Sequence, residues 1–287
     1  MRKVLDRIAT FGRMIKFSHT LFALPFALTS VVLSSISYRI TLYKLTWIIV
    51  AMIGARSAAM GFNRIADRDF DSKNPRTKDR EIPARKISVF EASVFVAVAA
   101  VLLVYAAYRL NRLCYLLSPV ALAVVFFYSL TKRFTWLSHI FLGIGMGLAP
   151  VGAWLGISGE FSLAPVLLGL AVVAWGAGFD IIYACQDLGH DNEFGLFSMP
   201  RNLGVKTSLV VSALLHGIAF SLLASLRFIL PLGGIYLVGL LLVAAVLIYQ
   251  HAIVKPGDLS RINFAFFNLN AYLSIGLFIF TLVDVVS

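Results

Sequence analysis

Residues 163–184 read LAPVLLGLAVVAWGAGFDIIYA, and Asp180 is the one charged side chain among them. A helix needs about 20 predominantly apolar residues to cross bilayer hydrocarbon, so this stretch reads as one transmembrane helix. Working outward, similar runs occupy roughly 17–37, 45–66, 88–108, 113–131, 136–157, 207–226, 230–250 and 264–284. Nine such helices with their connections use nearly all of the 287 residues. The runs are continuous rather than alternating every second residue, which excludes a transmembrane barrel. Composition agrees: 60% of residues are hydrophobic, 14% are charged and the mean hydropathy is +0.88. Soluble domains carry about 45–50% apolar and about 25% charged residues, so a soluble fold, a disordered chain and a disulfide scaffold are all excluded. Cys114 and Cys185 form no CxxC pair and imply neither a disulfide nor zinc. The basic start, MRKVLDRIATFGRMIK, precedes an apolar stretch too long for the core of a cleavable signal peptide. The expected architecture is an all-α membrane protein, a nine-transmembrane-helix bundle forming one polytopic domain over residues 1–287.

The net charge of +11 comes from 25 Lys and Arg against 14 Asp and Glu. Nineteen of the basic residues fall on one alternating set of connections and five on the other, with Arg56 inside the second helix. Cytoplasmic connections carry the excess of Lys and Arg, so the N-terminus is expected inside and the C-terminus outside. Topology therefore accounts for the positive charge, and no nucleic-acid partner is implied. The acidic residues are sorted as well. Five crowd into residues 67–81 and three into 187–193, both on the expected cytoplasmic side.

Asn63, Asp67 and Asp71 are spaced i, i+4, i+8, which puts three oxygen-bearing side chains on one helical face. Asp187 and Asp191 repeat the i, i+4 spacing, each 120 residues after its counterpart. Like charges at this spacing destabilise an isolated helix by a few tenths of a kcal/mol, and a hard divalent cation would offset that. Mg²⁺ takes one or two carboxylates and completes its shell with water and substrate phosphates. The matched faces suggest two related four-helix halves plus one helix, with Asp-rich loops at about 63–87 and 185–206.

On these motifs the chain resembles the UbiA-type intramembrane prenyltransferases over nearly its whole length. Asn63, Asp67 and Asp71 match the family's NxxxDxxxD motif, with Arg56 seven residues earlier. Pro75, Arg76, Thr77, Arg80, Ile82 and Pro83 match the loop that follows it. Asp180, Tyr183, Ala184, Asp187, Asp191, Gly195 and Ser198 match the second motif. Lys132-Arg133-Phe-Thr is similar to a segment of members acting on aromatic acids, and the basic stretch Arg13–Lys16 is similar as well. The resemblance implies transfer of a polyprenyl chain from polyprenyl diphosphate to an aromatic acid acceptor, with Mg²⁺ as cofactor and the lipid bilayer as surroundings. It implies that Asn63, Asp67, Asp71, Asp187 and Asp191 hold the metal, and that Arg76, Lys78, Arg80 and Lys206 bind the diphosphate. Lys132, Arg133, Tyr128 and Tyr183 join the expected substrate contacts. Asp191 or Asp71 would accept or polarise the acceptor's phenolic proton, and spacing does not choose between them. The expected acceptor is 4-hydroxybenzoate in quinone biosynthesis, in a bacterial cytoplasmic membrane. A dihydroxynaphthoate offers the same carboxylate and phenol.

Two deep charges, Arg56 and Asp180, lie about 10 Å further into the membrane than Asn63 and Asp187, at 1.5 Å per residue. A central charge costs about 2.5–3.5 kcal/mol on insertion scales. Two readings stand: the pair neutralise each other, or Arg56 meets a substrate carboxylate or phosphate, with Arg133 as the rival anchor. Tyr128 and Tyr183 also fit an interfacial aromatic belt. The five histidines show no metal-ligand spacing. Gly143, Gly147, Gly152 and Gly156 make small-xxx-small spacings suited to close helix packing. A cation or proton transporter would need acids near the midplane, whereas the paired aspartates fall at helix ends. An assembly protein gives no reason for the repeated faces.

Overall fold

The computed structural model describes residues 2–15 and 22–287. Helices α1 (Arg2–Met14), α2 (Leu24–Ser34), α3 (Leu42–Ala66), α4 (Arg68–Lys73), α5 (Val89–Leu110) and α6 (Arg112–Thr131) come first. They are followed by α7 (Ser138–Ser158), α8 (Leu163–Ala184), α9 (Leu188–Phe194), α10 (Met199–Ser225), α11 (Gly234–Ile253) and α12 (Ile262–Val286). No strand occurs among the described residues. Eight of the helices are long and apolar enough to cross a membrane, and α2 is a shorter apolar helix. The start of the first expected span, and Lys16 with it, lies outside the described residues.

The helices gather into two compact units. The first contains α1, α3 from Thr46 onward, α4, α5 and α6. Its α5 begins with a capping box: Ser88 Oγ accepts from the Glu91 amide (3.1 Å) and the Glu91 carboxylate accepts from the Ser88 amide (2.8 Å). Arg7 of α1 pairs with the Glu91 carboxylate and donates to the Lys86 carbonyl at 2.9 Å, which fixes α1 to the start of α5. A Cβ on Gly54 of α3 would lie 2.8 Å from the Leu103 amide nitrogen, so α3 and α5 meet backbone to backbone.

The second unit contains α2 and α7 to α12. Its centre is α8, whose Leu168, Val172, Trp175, Phe179 and Ile182 are buried, with α7 and α10 packed along it. The first apolar helix, α2, packs on α7 and α12, so it belongs with the second unit and not with its sequence neighbours α3, α5 and α6. Of the four spaced glycines on α7, Gly143 and Gly147 serve the expected close approach. A Cβ on Gly147 would sit 2.7 Å from the Gly169 carbonyl of α8, and one on Gly143 would fall on the Val173 carbonyl. A Cβ on Gly152 would meet nothing within 4 Å. Gly147→Val is therefore expected to destabilise the protein by about 1–3 kcal/mol, the range for overpacking a tight contact. Thermal unfolding in detergent checks this, and Gly152→Val should leave the midpoint nearly unchanged.

Two helices are irregular along their length. α10 begins at Met199 rather than 207, and it is broken at Gly204, where φ 77° and ψ 158° leave the helical region. The expected span corresponds to the portion after the break. α12 contains a π-helical turn at Ala265–Leu269. Buried amides take up carbonyls at that turn: Gln250 Nε2 donates to Ala265 O (3.3 Å) and Asn270 Nδ2 to Phe266 O (3.0 Å).

Candidate active site

In the first unit the acidic face starts inside α3 and continues across a joint. Asp67 sits between α3 and α4 at φ −90°, ψ 4°. Helical hydrogen bonding still crosses it, from Asp67 N to Asn63 O (2.9 Å) and from Asp71 N to Asp67 O (2.8 Å). The i, i+4 relation thus survives, and Asn63 Nδ2 donates to Asp67 Oδ2 at 3.0 Å. Asp71 is buried, and a single guanidinium nitrogen of Arg80 reaches both its oxygens, at 2.6 and 2.7 Å. Thr77 Oγ1 donates to the Asp71 carbonyl (3.0 Å) and Asn74 Oδ1 accepts from the Arg76 amide (2.9 Å), so the loop folds back onto α4. Arg76 and Lys78 are exposed on that loop, and Tyr128 is half-buried near the end of α6. Arg56 is half-buried in α3, and its Nε has no hydrogen-bond partner among the described residues.

The second unit repeats the device. After α8, a 3₁₀ turn at Cys185–Asp187 leads into α9, and Asp187 occupies the joint at φ −95°, ψ 4°. The leading aspartate of each motif therefore has nearly the same backbone geometry, and the trailing one is buried in each case, Asp71 at 7% and Asp191 at 2% exposure. The two then differ: Asp71 has Arg80, whereas Asp191 Oδ2 is buried without a hydrogen-bond partner among the described residues. Gly195, at φ 71°, ends α9 and turns the chain so that the Leu196 amide donates to the Asp191 carbonyl (3.0 Å). Lys132 is half-buried and its carbonyl accepts from the Phe197 amide at 2.8 Å; Arg133 and Lys206 are exposed.

Three residues differ from the sequence reading. Asp180 does not depend on Arg56 for a partner, because His139 Nδ1 lies 2.6 Å from Asp180 Oδ2. Those residues are 41 positions apart on α7 and α8, and no spacing rule connects them. Tyr183 is more than an interfacial belt residue: its ring stacks on Phe266 at 4.0 Å, in a cluster with Phe179 and Phe267. Arg64, one of the nineteen basic residues on the expected cytoplasmic side, is buried, and its Nε donates to the Met14 carbonyl at 3.1 Å.

Among the described residues no three His, Cys, Asp or Glu side chains in one place form a closed metal cage. Each motif instead offers a pair of carboxylates, a hard-oxygen donor set of the kind Mg²⁺ uses when phosphates supply the remaining ligands. The orphaned buried oxygen of Asp191 is the strongest sign of fit, since an uncompensated buried carboxylate is costly.

The sequence profile of the UbiA prenyltransferase family matches residues 23–272. The chain belongs to this family. It is 29% identical over 237 residues, 81% of each chain, to a protein named 4-hydroxybenzoate octaprenyltransferase from Salmonella paratyphi C. Its fold is similar to the apo structure of a UbiA homolog from Aeropyrum pernix K1, with 36% identity, a TM-score of 0.84, and coverage of 93% of this chain and 98% of that one. It is also similar in fold to a UbiA homolog from Archaeoglobus fulgidus bound to DMAPP and Mg²⁺, with 20% identity, a TM-score of 0.74, and coverage of 96% and 99%. With eight helices among the described residues long and apolar enough to cross a membrane, this member of the prenyltransferase family is an integral membrane protein.

Proposed function

We propose that the protein transfers a polyprenyl group from polyprenyl diphosphate to the ring of 4-hydroxybenzoate in quinone biosynthesis, with Mg²⁺ as cofactor. The active site would face the cytoplasm, with the C-terminus outside, in a bacterial inner membrane. The observation that carries the reading is the repeated acidic joint with its unpartnered Asp191 oxygen. The name of the Salmonella relative supports the choice of acceptor.

Asp67, Asp71, Asp187 and Asp191, with Asn63 behind Asp67, would hold the metal. Mg²⁺ bound there supplies Lewis-acid neutralisation of the leaving diphosphate. Arg76, Lys78, Arg80 and Lys206 bring positive charge to the remaining phosphate oxygens, the arginines with geometry suited to two parallel hydrogen bonds. The departing diphosphate leaves an allylic cation that water would quench. The aromatic cluster of Tyr183, Phe179, Phe266 and Phe267 excludes water and offers ring faces, which attract cations. Arg56, with its buried and unpartnered Nε, receives the acceptor's carboxylate. A ring carbon of the acceptor forms the new bond to the allylic carbon, whose bond to the diphosphate breaks. The phenol, with its proton polarised or accepted by Asp191 or Asp71, feeds electrons into the ring. The hydrogen on the alkylated carbon is then lost, which restores the aromatic phenol.

The test is an assay in membranes with Mg²⁺, a polyprenyl diphosphate and each of several hydroxylated aromatic acids, 4-hydroxybenzoate and dihydroxynaphthoate among them. Prenylated 4-hydroxybenzoate is the expected product, and EDTA should abolish its formation. If a folded sample prenylates none of the acids, the proposal is wrong.

A further inference from the structure

We infer that His139 is a positioning residue that sets the register of the Asp187–Asp191 segment by tying together the two helices between which it hangs. The inference rests on the prenyltransferase reading for its functional meaning, and on the second unit alone for its geometry. The segment leaves α8 after Ala184 and ends where α10 begins at Met199. His139, fully buried in the first turn of α7, touches both sides. Its Nδ1 lies 2.6 Å from Asp180 Oδ2 on α8, and its Nε2 lies 3.3 Å from the Met199 amide nitrogen at the start of α10.

Donor and acceptor chemistry fixes the state of the ring. The Met199 amide can only donate, so Nε2 accepts and carries no proton. The imidazole proton then sits on Nδ1 and is donated to Asp180, which explains how a carboxylate is held deep within an apolar helix. The same bond satisfies one of the first amides of α10, which no intrahelical carbonyl can reach. Ser198 Oγ accepts from the Arg201 amide (3.4 Å) and satisfies another.

From Met199 the register passes back to Asp191 through a short hydrogen-bonded turn. Phe197 N donates to Lys132 O (2.8 Å), Arg201 donates to Leu196 O (2.8 Å) and Leu196 N donates to Asp191 O (3.0 Å). Lys132 and His139 thus belong to one stretch, around the start of α7, that holds this turn at two points. Asp191 needs such support from its backbone, because its Oδ2 has no hydrogen bond among the described residues. His139 is 0% exposed and reaches substrate only through what it holds.

The test uses the full-length protein in lipid nanodiscs. Calorimetry measures the binding of inorganic pyrophosphate in the presence of Mg²⁺, and thermal unfolding verifies that each variant is folded. His139→Leu removes both hydrogen bonds and is expected to weaken Mg²⁺-dependent pyrophosphate binding about 10- to 100-fold, the usual effect of losing a residue that orients metal ligands. His139→Gln has an amide that can donate to Asp180 and accept from Met199, and should return affinity to within a few fold of the parent. Asp180→Ala, a smaller lesion at one of the two bonds, should weaken binding, and it stands in for His139→Leu if that variant does not fold. Unchanged affinity in the folded lesion variant overturns the inference, and so does a glutamine variant as impaired as the leucine one. A parent protein that binds Mg²⁺ and pyrophosphate yet prenylates no acceptor would defeat the functional reading while leaving the positioning role measurable.

Discussion

Asp191→Ala is expected to lower the turnover of prenyl transfer by about a thousandfold, corresponding to about 4 kcal/mol of lost transition-state stabilisation. Of the two enclosed motif aspartates Asp191 is the more buried, and its Oδ2 lacks a hydrogen-bond partner among the described residues. A carboxylate oxygen in that position is costly to the protein unless a cation or a proton arrives. Its removal therefore should not unfold the chain, and the thermal midpoint is expected to stay level or rise. Stability and activity move in opposite directions, as they do when a site keeps an uncompensated charge for its chemistry. Asp191→Asn separates shape from charge: it fills the same space, and it should be nearly as inactive. Turnover in membranes at saturating Mg²⁺, corrected for folded protein, decides the matter. Retention of more than a tenth of the activity by either variant would remove Asp191 from the catalytic set.

Most of the spanning helices were legible because each is a long apolar run, and run length alone is enough to name a membrane helix. The stretch 163–184 coincides with α8 and 45–66 lies within α3. What an all-round apolar helix does not encode is which neighbour it packs against, since it carries no polar face to orient it. That is why α2, first in the apolar order, could not be placed with α7 and α12 from its own residues. The acidic motifs were legible from their spacing, and the short helices α4 and α9 were not. At six and seven mostly polar residues, they show no apolar periodicity of their own. His139 was invisible for a different reason. Its role depends on Asp180 and Met199, 41 and 60 residues away, and nothing local marks it. The burial of Arg64 was equally hidden, because the sign of a charge near a helix end fixes its side of the membrane and not its exposure.

The second large effect concerns Arg80, which the motif resemblance gives to the diphosphate and the structure gives to Asp71. Arg80→Met is expected to destabilise the protein by about 3 kcal/mol, the lower end of the range for removing one partner of a buried ion pair. The lower end applies because the Arg80 side chain is 20% exposed while that of Asp71 is 9% exposed, so water relieves part of the loss. The contact is made by one nitrogen to two carboxylate oxygens, not by two nitrogens in a fork. A lysine ammonium can reproduce a one-nitrogen contact but not the bidentate grip of a guanidinium on a phosphate. Arg80→Lys therefore separates the two roles. If Arg80 serves only to hold Asp71, the lysine variant should regain both stability and donor affinity. If it also leaves Asp71 for the diphosphate, stability should return while the KM for polyprenyl diphosphate stays raised about tenfold, equal to about 1.4 kcal/mol. We expect the second result. The loop that carries Arg80 also carries exposed Arg76 and Lys78, and an arriving diphosphate with its metal would compete for the same guanidinium as Asp71 turns to the cation. Thermal unfolding measured beside donor KM gives the answer, and full recovery of both would confine Arg80 to holding the loop.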